Sequence, residues 1–299
     1  MRRGIDLHRQ QERAGWLFMA PTLAILAVVG FYPLAQTFAT SLTDARMAGG
    51  EPTQFVGMRN YFDLLSLGPF WTAGLTTLVI TAVSVAIELA LGLGIALLLT
   101  SRMRWRGLLR AAILIPWALP TVVSARVWNY MLVDTYGVVN DLLVTRLHLL
   151  PEKVAWLAEP GLAPSAIIAV DVWKTTPFVT LLLMAGLQLI PAQTYEAAAV
   201  DGASRWQQFW KVTLPLLMPT ILVVLIFRAL DALRIFDAVW VLTRGQLGTE
   251  TVATFTYRQM IDFRKIGFGS AASVTIFAVI AVFVITYLWL ARAGMETEE

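Results

Sequence analysis

Cysteine is absent from the 299 residues, and histidine occurs only twice, as His8 and His148. Disulfides, thiolate metal sites and a cysteine nucleophile are thereby excluded, and little room is left for an imidazole metal centre or proton relay. Charge is scarce as well: Asp, Glu, Lys and Arg make up 14% of the chain, against 58% hydrophobic residues. The mean hydropathy is +0.68. So much apolar surface exceeds what a soluble core can use, and the chain reads as an integral membrane protein. No G-x-x-x-x-G-K-[ST] phosphate loop occurs, so no nucleotide site is expected in the chain itself. Internal repeats and low-complexity segments are also lacking. The net charge of +3 and the pI near 9.3 would suggest nucleic acid in a soluble protein. Here the basic residues sit in short segments beside apolar runs, which marks membrane topology and no nucleic-acid partner.

Six apolar stretches are long enough to cross about 30 Å of hydrocarbon at about 1.5 Å per residue. They cover residues 16–38, 71–100, 108–132, 165–190, 220–242 and 271–291. The predicted fold is therefore all-α integral membrane: six transmembrane helices in a domain over 16–292, with a two-helix loop at 191–219 between the fourth and fifth. Arg2, Arg3, Arg9 and Arg13 precede the first span, and Arg102, Arg104, Arg106 and Arg110 surround the turn between the second and third. Both termini, the tails 1–15 and 293–299, are thus expected in the cytoplasm of a cell bearing this chain in its plasma membrane. A cleavable signal is the alternative for the start, but the apolar run is too long for the usual h-region, and an uncleaved anchor is expected. Three longer segments, 39–70, 133–164 and 243–270, then face outward.

The polar stretch between spans four and five reads as two short helices at an angle. Pro191 suits the first turn of a helix running through Glu196 to Ala199. Gly202 permits a sharp bend. Ser204 and Gln207 have capping-box spacing, so a second helix begins there and carries Trp206, Phe209 and Trp210. Leu214, Pro215 and Pro219 are expected to break it and open the fifth span.

A second set of residues lies inside the spans: Glu88, Arg126, Asp171, Lys174, Arg228, Asp231, Arg234 and Asp237, four of each sign. Each facing lipid would cost roughly 2.5 to 3.5 kcal/mol, so they should face one another or a wet cavity. Arg228, Asp231, Arg234 and Asp237 recur at intervals of three, offering three ion pairs along one helix face. All but Glu88 lie from mid-membrane outward, as an outward-opening polar cavity requires. Structural pairing, such as Asp171 with Lys174, is the other reading of any single member. Neutral polyhydroxyl compounds suit such a cavity, because donors, acceptors and aromatic faces stand together. The nearby aromatics are Trp128, Tyr130, Trp173, Phe178, Phe236 and Trp240; interface anchoring is the alternative for each.

The loop carries a family resemblance. Glu196-Ala197-Ala198, three residues, Gly202, nine residues, Val212, one residue and Leu214-Pro215 resemble the coupling-loop signature of the membrane subunits of binding-protein-dependent ABC importers. Val212 stands where Ile is more usual, and Asp201, Ala203 and Pro219 also fit the carbohydrate-importer version. DVWKTTPF at Asp171 to Phe178 and FRALDALRIFD at Phe227 to Asp237 look like the first-type permease of importers for maltose, trehalose and related sugars. The likeness covers essentially the whole chain. It departs after Leu242-Thr243, where Gln246 and Leu247 replace the Gly and Pro of the usual Leu-Thr-x-Gly-Gly-Pro.

Several expectations follow from that resemblance. The loop, through Glu196, Ala197, Ala198, Asp201, Gly202, Ala203, Leu214 and Pro215, would enter a cleft on a cytoplasmic ATPase dimer, with Glu196 taking a basic partner. ATP and Mg would be held by that partner, leaving this chain without a cofactor, metal or catalytic residue of its own. Asp231, Arg234 and Asp237 would line the central site with Asp171 and Lys174 beside it, and Arg228, Trp173, Phe236 and Trp240 would join the substrate path. A second permease subunit in a heterodimer and an extracytoplasmic sugar-binding protein are implied. The substrate would be a sugar, with an α-linked glucose disaccharide such as trehalose or maltose favoured over a polyol or a glycerol phosphate. An ion-coupled secondary transporter would give the two-helix loop no task, and a membrane enzyme would lack a nucleophile, a metal set or an exposed acid/base pair.

Overall fold

The computed structural model describes residues 2–47, 52–100 and 105–296. These form two compact units, Met1–Ser66 with Thr256–Phe277 and Leu67–Phe255 with Ala278–Glu299. Among the described residues the secondary structure is helical, apart from one isolated antiparallel bridge between Thr43 and Phe55. Five helices are long and apolar enough to cross a membrane, and a bent pair brings the number to six if it counts as one span.

The first unit holds α1, Gln11–Ser41, whose residues are exposed over the apolar window. Its backbone widens into a π-helical turn at Leu26–Phe31. That turn precedes Pro33, whose ring would otherwise press on the carbonyl four residues back. Beyond it, Asn60 of the short helix α2, Arg59–Leu65, donates to the carbonyls of Ser41 and Thr43 at 2.8 Å each. The extended segment after Thr43 is held by Met47 N–H to the Arg264 carbonyl, 3.0 Å, and Gly267 N–H to the Ala45 carbonyl, 2.9 Å.

In the second unit α3, Gly68–Thr100, packs along α6, Ala163–Gln188. Gly92 permits a close approach, because a Cβ there would stand 2.6 Å from Val179 Cγ1. Small residues at helix crossings of this kind replace the hydrophobic drive that lipid removes. Two apolar clusters flank a polar middle. One joins Ile80, Val170, Ile235 and Val239, and the other joins Ala96, Leu183, Leu217 and Val224. α6 continues through Pro177, and the Thr175 and Thr176 hydroxyls bond back to the carbonyls of Asp171 and Val172, 2.6 Å each.

Three sequence-based expectations are sharpened or corrected here. The third span, expected over 108–132 with Pro116 and Pro120 as places to kink, is two helices, α4, Arg106–Ala118, and α5, Thr121–Met131, bent by 94° at Pro120. Leu119 precedes Pro120 and is driven to the extended conformation, φ −75° and ψ 141°, which ends α4. At 13 and 11 residues the pieces reach only about 20 and 17 Å, too short to cross singly. The loop's second helix, expected to break at Leu214, Pro215 and Pro219, instead runs into the span as α8, Arg205–Ala232. A π-helical turn at Phe209–Thr213 loosens the backbone ahead of Pro215, so the proline fits without a break.

The fifth span itself stops at Ala232 and restarts as α9, Asp237–Leu242. A buried Thr251 hydroxyl takes the Ile235 carbonyl freed in the gap, 3.0 Å, and Asp237 enters the first turn of α9, where a carboxylate favours the helix dipole. The last helix, α10, Ile266–Glu296, begins in the first unit and ends in the second. Its Tyr287 hydroxyl donates to the Leu222 carbonyl of α8 at 2.6 Å.

Candidate functional site

A cluster of charges joins α3, α6 and α8 around Arg228. Its guanidinium grips Glu88 with two nitrogens: Nε donates to Oε2, and Nη2 donates to Oε1 at 2.8 Å. The remaining donors reach Asp231 Oδ2, 2.6 Å from Nη1, and Asp171 Oδ2, 3.2 Å from Nη2. The Thr175 hydroxyl lies 2.5 Å from Glu88 Oε1 and 2.6 Å from the Asp171 carbonyl. Glu88 and Arg228 are fully buried, whereas the Asp231 side chain is 69% exposed. The cluster therefore runs from a dry interior to an open rim. Charge-assisted, forked bonding is what makes such burial tolerable in a medium without water.

Above this cluster lies a cavity of about 110 Å³, lined by Thr121 of α5, Asp171, Lys174 and Thr175 of α6, and Asp231, Arg234, Phe236 and Asp237 around the break in α8. Helix interruption is the source of its shape, since residues 233–236 turn their backbone away and let side chains from both pieces converge. Of the nine residues expected along a substrate path, Asp171, Lys174, Asp231, Arg234, Phe236 and Asp237 are brought to this cavity. Arg228 lies beneath it. Trp173 packs edge-on against Trp128, ring centroids 5.5 Å apart, and Trp240 stacks on Phe236 at 5.8 Å.

The expected ladder of three ion pairs is corrected. Among the described residues only Arg228 to Asp231 forms. Arg234 turns back to donate to the Leu230 carbonyl, 3.1 Å, because the helix that would have aligned it with Asp231 and Asp237 has ended. The alternative pairing of Asp171 with Lys174 likewise gives way to Asp171 with Arg228.

Glu88, which is not among the residues expected along a substrate path, joins the Arg228 cluster, as expected of intraspan charges that face one another. A readable signal existed: Thr77, Thr81, Ser84 and Glu88 recur at four, three and four residues along an otherwise apolar helix, and all four are buried. That is the helical period of a single polar stripe.

At the other end of α6 stands the two-helix segment. α7, Ala192–Val200, has Pro191 as its N-cap, one position before the first turn where it was expected. It closes with a Schellman cap: Gly202 N–H bonds to the Ala199 carbonyl at 3.1 Å and Ala203 N–H to the Ala198 carbonyl at 2.9 Å. The cap needs a left-handed residue, and Gly202 supplies it with φ +81°. One residue later Ser204 opens α8 with the expected capping box: Ser204 Oγ accepts from Gln207 N–H, 3.3 Å, and Gln207 Oε1 accepts from Ser204 N–H, 2.8 Å. The Tyr195 hydroxyl meets Thr213 Oγ1 at 3.1 Å, tying α7 to the π-helical turn.

Glu196, Ala197, Asp201, Gly202 and Pro215 are exposed, and Ala198, Ala203 and Leu214 are half-buried. Val200 and Trp206 stand 87% and 69% exposed. The segment is a doubly capped corner with two exposed carboxylates, Glu196 and Asp201, and bare apolar surface.

The loop after α9 has a shape of its own. Arg244, Gly245, Leu247 and Gly248 all have positive φ, and Leu247 stands at +58°. A proline, fixed near −65°, could not adopt that conformation, so the departure from the Gly-Pro pattern accompanies a different turn. Beneath it the Thr243 and Thr249 hydroxyls meet at 2.6 Å.

The family model described as "Binding-protein-dependent transport system inner membrane component" matches residues 88–293. The chain is 44% identical to the trehalose/maltose transport system permease protein MalF of Thermococcus litoralis, over 96% of each chain. It is 39% identical to the trehalose transport system permease protein SugA of Mycobacterium tuberculosis, over 95% of this chain and 90% of that one. Among solved structures, one chain of a bacterial ABC transporter involved in the import of the acidic polysaccharide alginate superposes with a TM-score of 0.82 at 23% identity. That match covers 98% of this chain and 99% of the other.

Proposed function

The chain belongs to the family of inner membrane components of binding-protein-dependent transport systems, and we propose that it is one of two membrane subunits of an ATP-driven importer of an α-linked disaccharide such as trehalose or maltose. The observation that carries this reading is the doubly capped corner at Ala192–Gln208, whose caps hold an exposed Glu196 and bare apolar side chains in one geometry. A surface so fixed and so poorly covered by its own chain suits a partner that pushes on it. In this reading both termini and the corner face the cytoplasm. An ATPase dimer holding ATP and Mg docks there, and Glu196 accepts a basic side chain of that partner.

The sugar passes between this chain and a second permease subunit after delivery by an extracytoplasmic binding protein. Cavity size supports the second subunit: about 110 Å³ falls short of the roughly 300 Å³ at which small-molecule sites begin. Its lining supports a neutral polyhydroxyl ligand. Asp171, Asp231 and Asp237 accept hydroxyl protons, Lys174 and Arg234 donate, and Phe236 offers a ring face. The names of the trehalose and maltose relatives support the sugar class.

The test is sugar-stimulated ATP hydrolysis by the reconstituted complex of this chain with its second permease, ATPase and binding protein. Trehalose or maltose is expected to stimulate hydrolysis, and Glu196→Ala is expected to abolish that stimulation while sugar capture by the binding protein persists. Absence of stimulation by any disaccharide would overturn the substrate. An unaffected Glu196→Ala complex would remove the coupling role.

A further inference from the structure

Three carboxylates, Glu88, Asp171 and Asp231, share the single guanidinium of Arg228, and they differ in where they stand. Glu88 is fully buried on α3 and has no access to the cavity. Asp171 and Asp231 line it. We propose that Glu88 is a positioning residue for sugar passage. By clamping Arg228 from below, it sets the direction of the two donors that orient Asp171 and Asp231 toward the substrate.

The geometry of the fork carries the argument. A guanidinium has five N–H groups in one rigid plane, and a bidentate carboxylate on its Nε and Nη2 edge fixes that plane. The donors left over are those on Nη1 and the outer one on Nη2, which are the ones found on Asp231 and Asp171. Without Glu88 the guanidinium would be free to swing toward the exposed rim at Asp231, and Asp171 would lose its defined partner. Thr175 supports the clamp from α6, its hydroxyl standing between Glu88 and the Asp171 backbone. A plain helix lock would need one acid per base, and an apolar pair of equal volume would serve as well. Two further acids aimed at a cavity are what a lock leaves unexplained.

The proposal rests on the reading of this cavity as the sugar path, and the experiment separates the two. In the reconstituted complex, wild type, Glu88→Gln and the charge exchange Glu88→Arg with Arg228→Glu are compared for assembled yield and for the rate and half-saturation of sugar uptake. Glu88→Gln keeps an acceptor for one Arg228 donor and loses the fork. Its maximal uptake is expected to fall about tenfold at equal yield, the scale of one lost hydrogen bond between charged groups, with half-saturation unchanged. The loss is expected to shrink when Asp231→Asn is already present, because both act through one chain of bonds. The charge exchange is expected to assemble but not to transport, since a carboxylate at position 228 has no N–H to donate to Asp171 or Asp231.

Unchanged uptake by Glu88→Gln, full recovery by the exchange, or strict additivity with Asp231→Asn would each overturn the positioning role. Failure of both Glu88 variants to assemble would assign Glu88 to folding alone and overturn it as well. Absence of sugar uptake in the wild-type complex would instead sink the sugar-path reading beneath it.

Discussion

The charge cluster and the two-helix corner hold their acids in opposite ways. Around Arg228 all three guanidinium nitrogens are bonded to carboxylates of the same chain, and the anchoring pair is sealed from solvent. At Ala192–Gln208 the backbone is completed by two caps, yet Glu196, Val200 and Trp206 are left outside. Burial forces self-sufficiency, because an unpaired charge in a dry interior is too costly to leave for a partner to satisfy. Exposure removes that demand. Loss of the shared cation of the cluster should therefore be read in the stability of the chain, and changes at the corner in what the chain does with its partners.

The strongest way to break this contrast is Arg228→Met. It strands Glu88 and Asp171 without a counter-charge, and removing one member of a buried pair costs about 3 to 5 kcal/mol. The thermal midpoint of the detergent-solubilised complex, followed by size-exclusion after heating, is expected to drop steeply. Adding Glu88→Met should recover part of the loss.

Next comes Gly202→Val. A branched side chain at φ +81° incurs about 1 to 2 kcal/mol of local strain. Nothing crowds that position, so the effect is of backbone origin and Gly202→Asn should be much milder. Sugar-stimulated ATP hydrolysis is expected to fall for valine while the thermal midpoint barely moves.

Ser204→Ala removes the capping box, worth about 1 kcal/mol at the helix start. Hydrogen exchange at the Gln207 amide, which the serine caps, should quicken while the rest of α8 stays protected. Smallest in stability is Asp231→Asn, where a rim-exposed partner is worth less than about 1 kcal/mol. Its uptake should nevertheless change in sugar dependence, and an unchanged dependence would return Asp231 to structural pairing.

Legibility in the sequence followed the range of the forces involved. The capping box at Ser204 and Gln207 and the bend at Gly202 were readable because each involves neighbours within a few residues. Pro120, expected as a place to kink the third span, lies next to the break, but the 94° angle was not legible. How far α4 and α5 swing apart depends on what they pack against. The π-helical turns before Pro33 and Pro215 were hidden for a different reason, since one extra residue in a turn leaves the apolar pattern nearly unchanged.

What the sequence by itself determined is the class of the molecule: apolar runs long enough to cross a bilayer, a polar corner with its own caps, and a coupling-loop pattern placing the chain among transport components. The first two depend on composition and local stereochemistry, which no packing partner alters, and the third is a resemblance carried by the residues from Glu196 to Pro215. Only the tertiary structure decided that Arg228 is the partner of Glu88 and that the ladder from Arg228 to Asp237 dissolves at its second step. The partners of Arg228 stand up to 140 positions away, and the break at Ala232 is held by a Thr251 hydroxyl from a later loop. Contacts over such separations follow from how helices meet in space, which periodicity along a single helix does not encode.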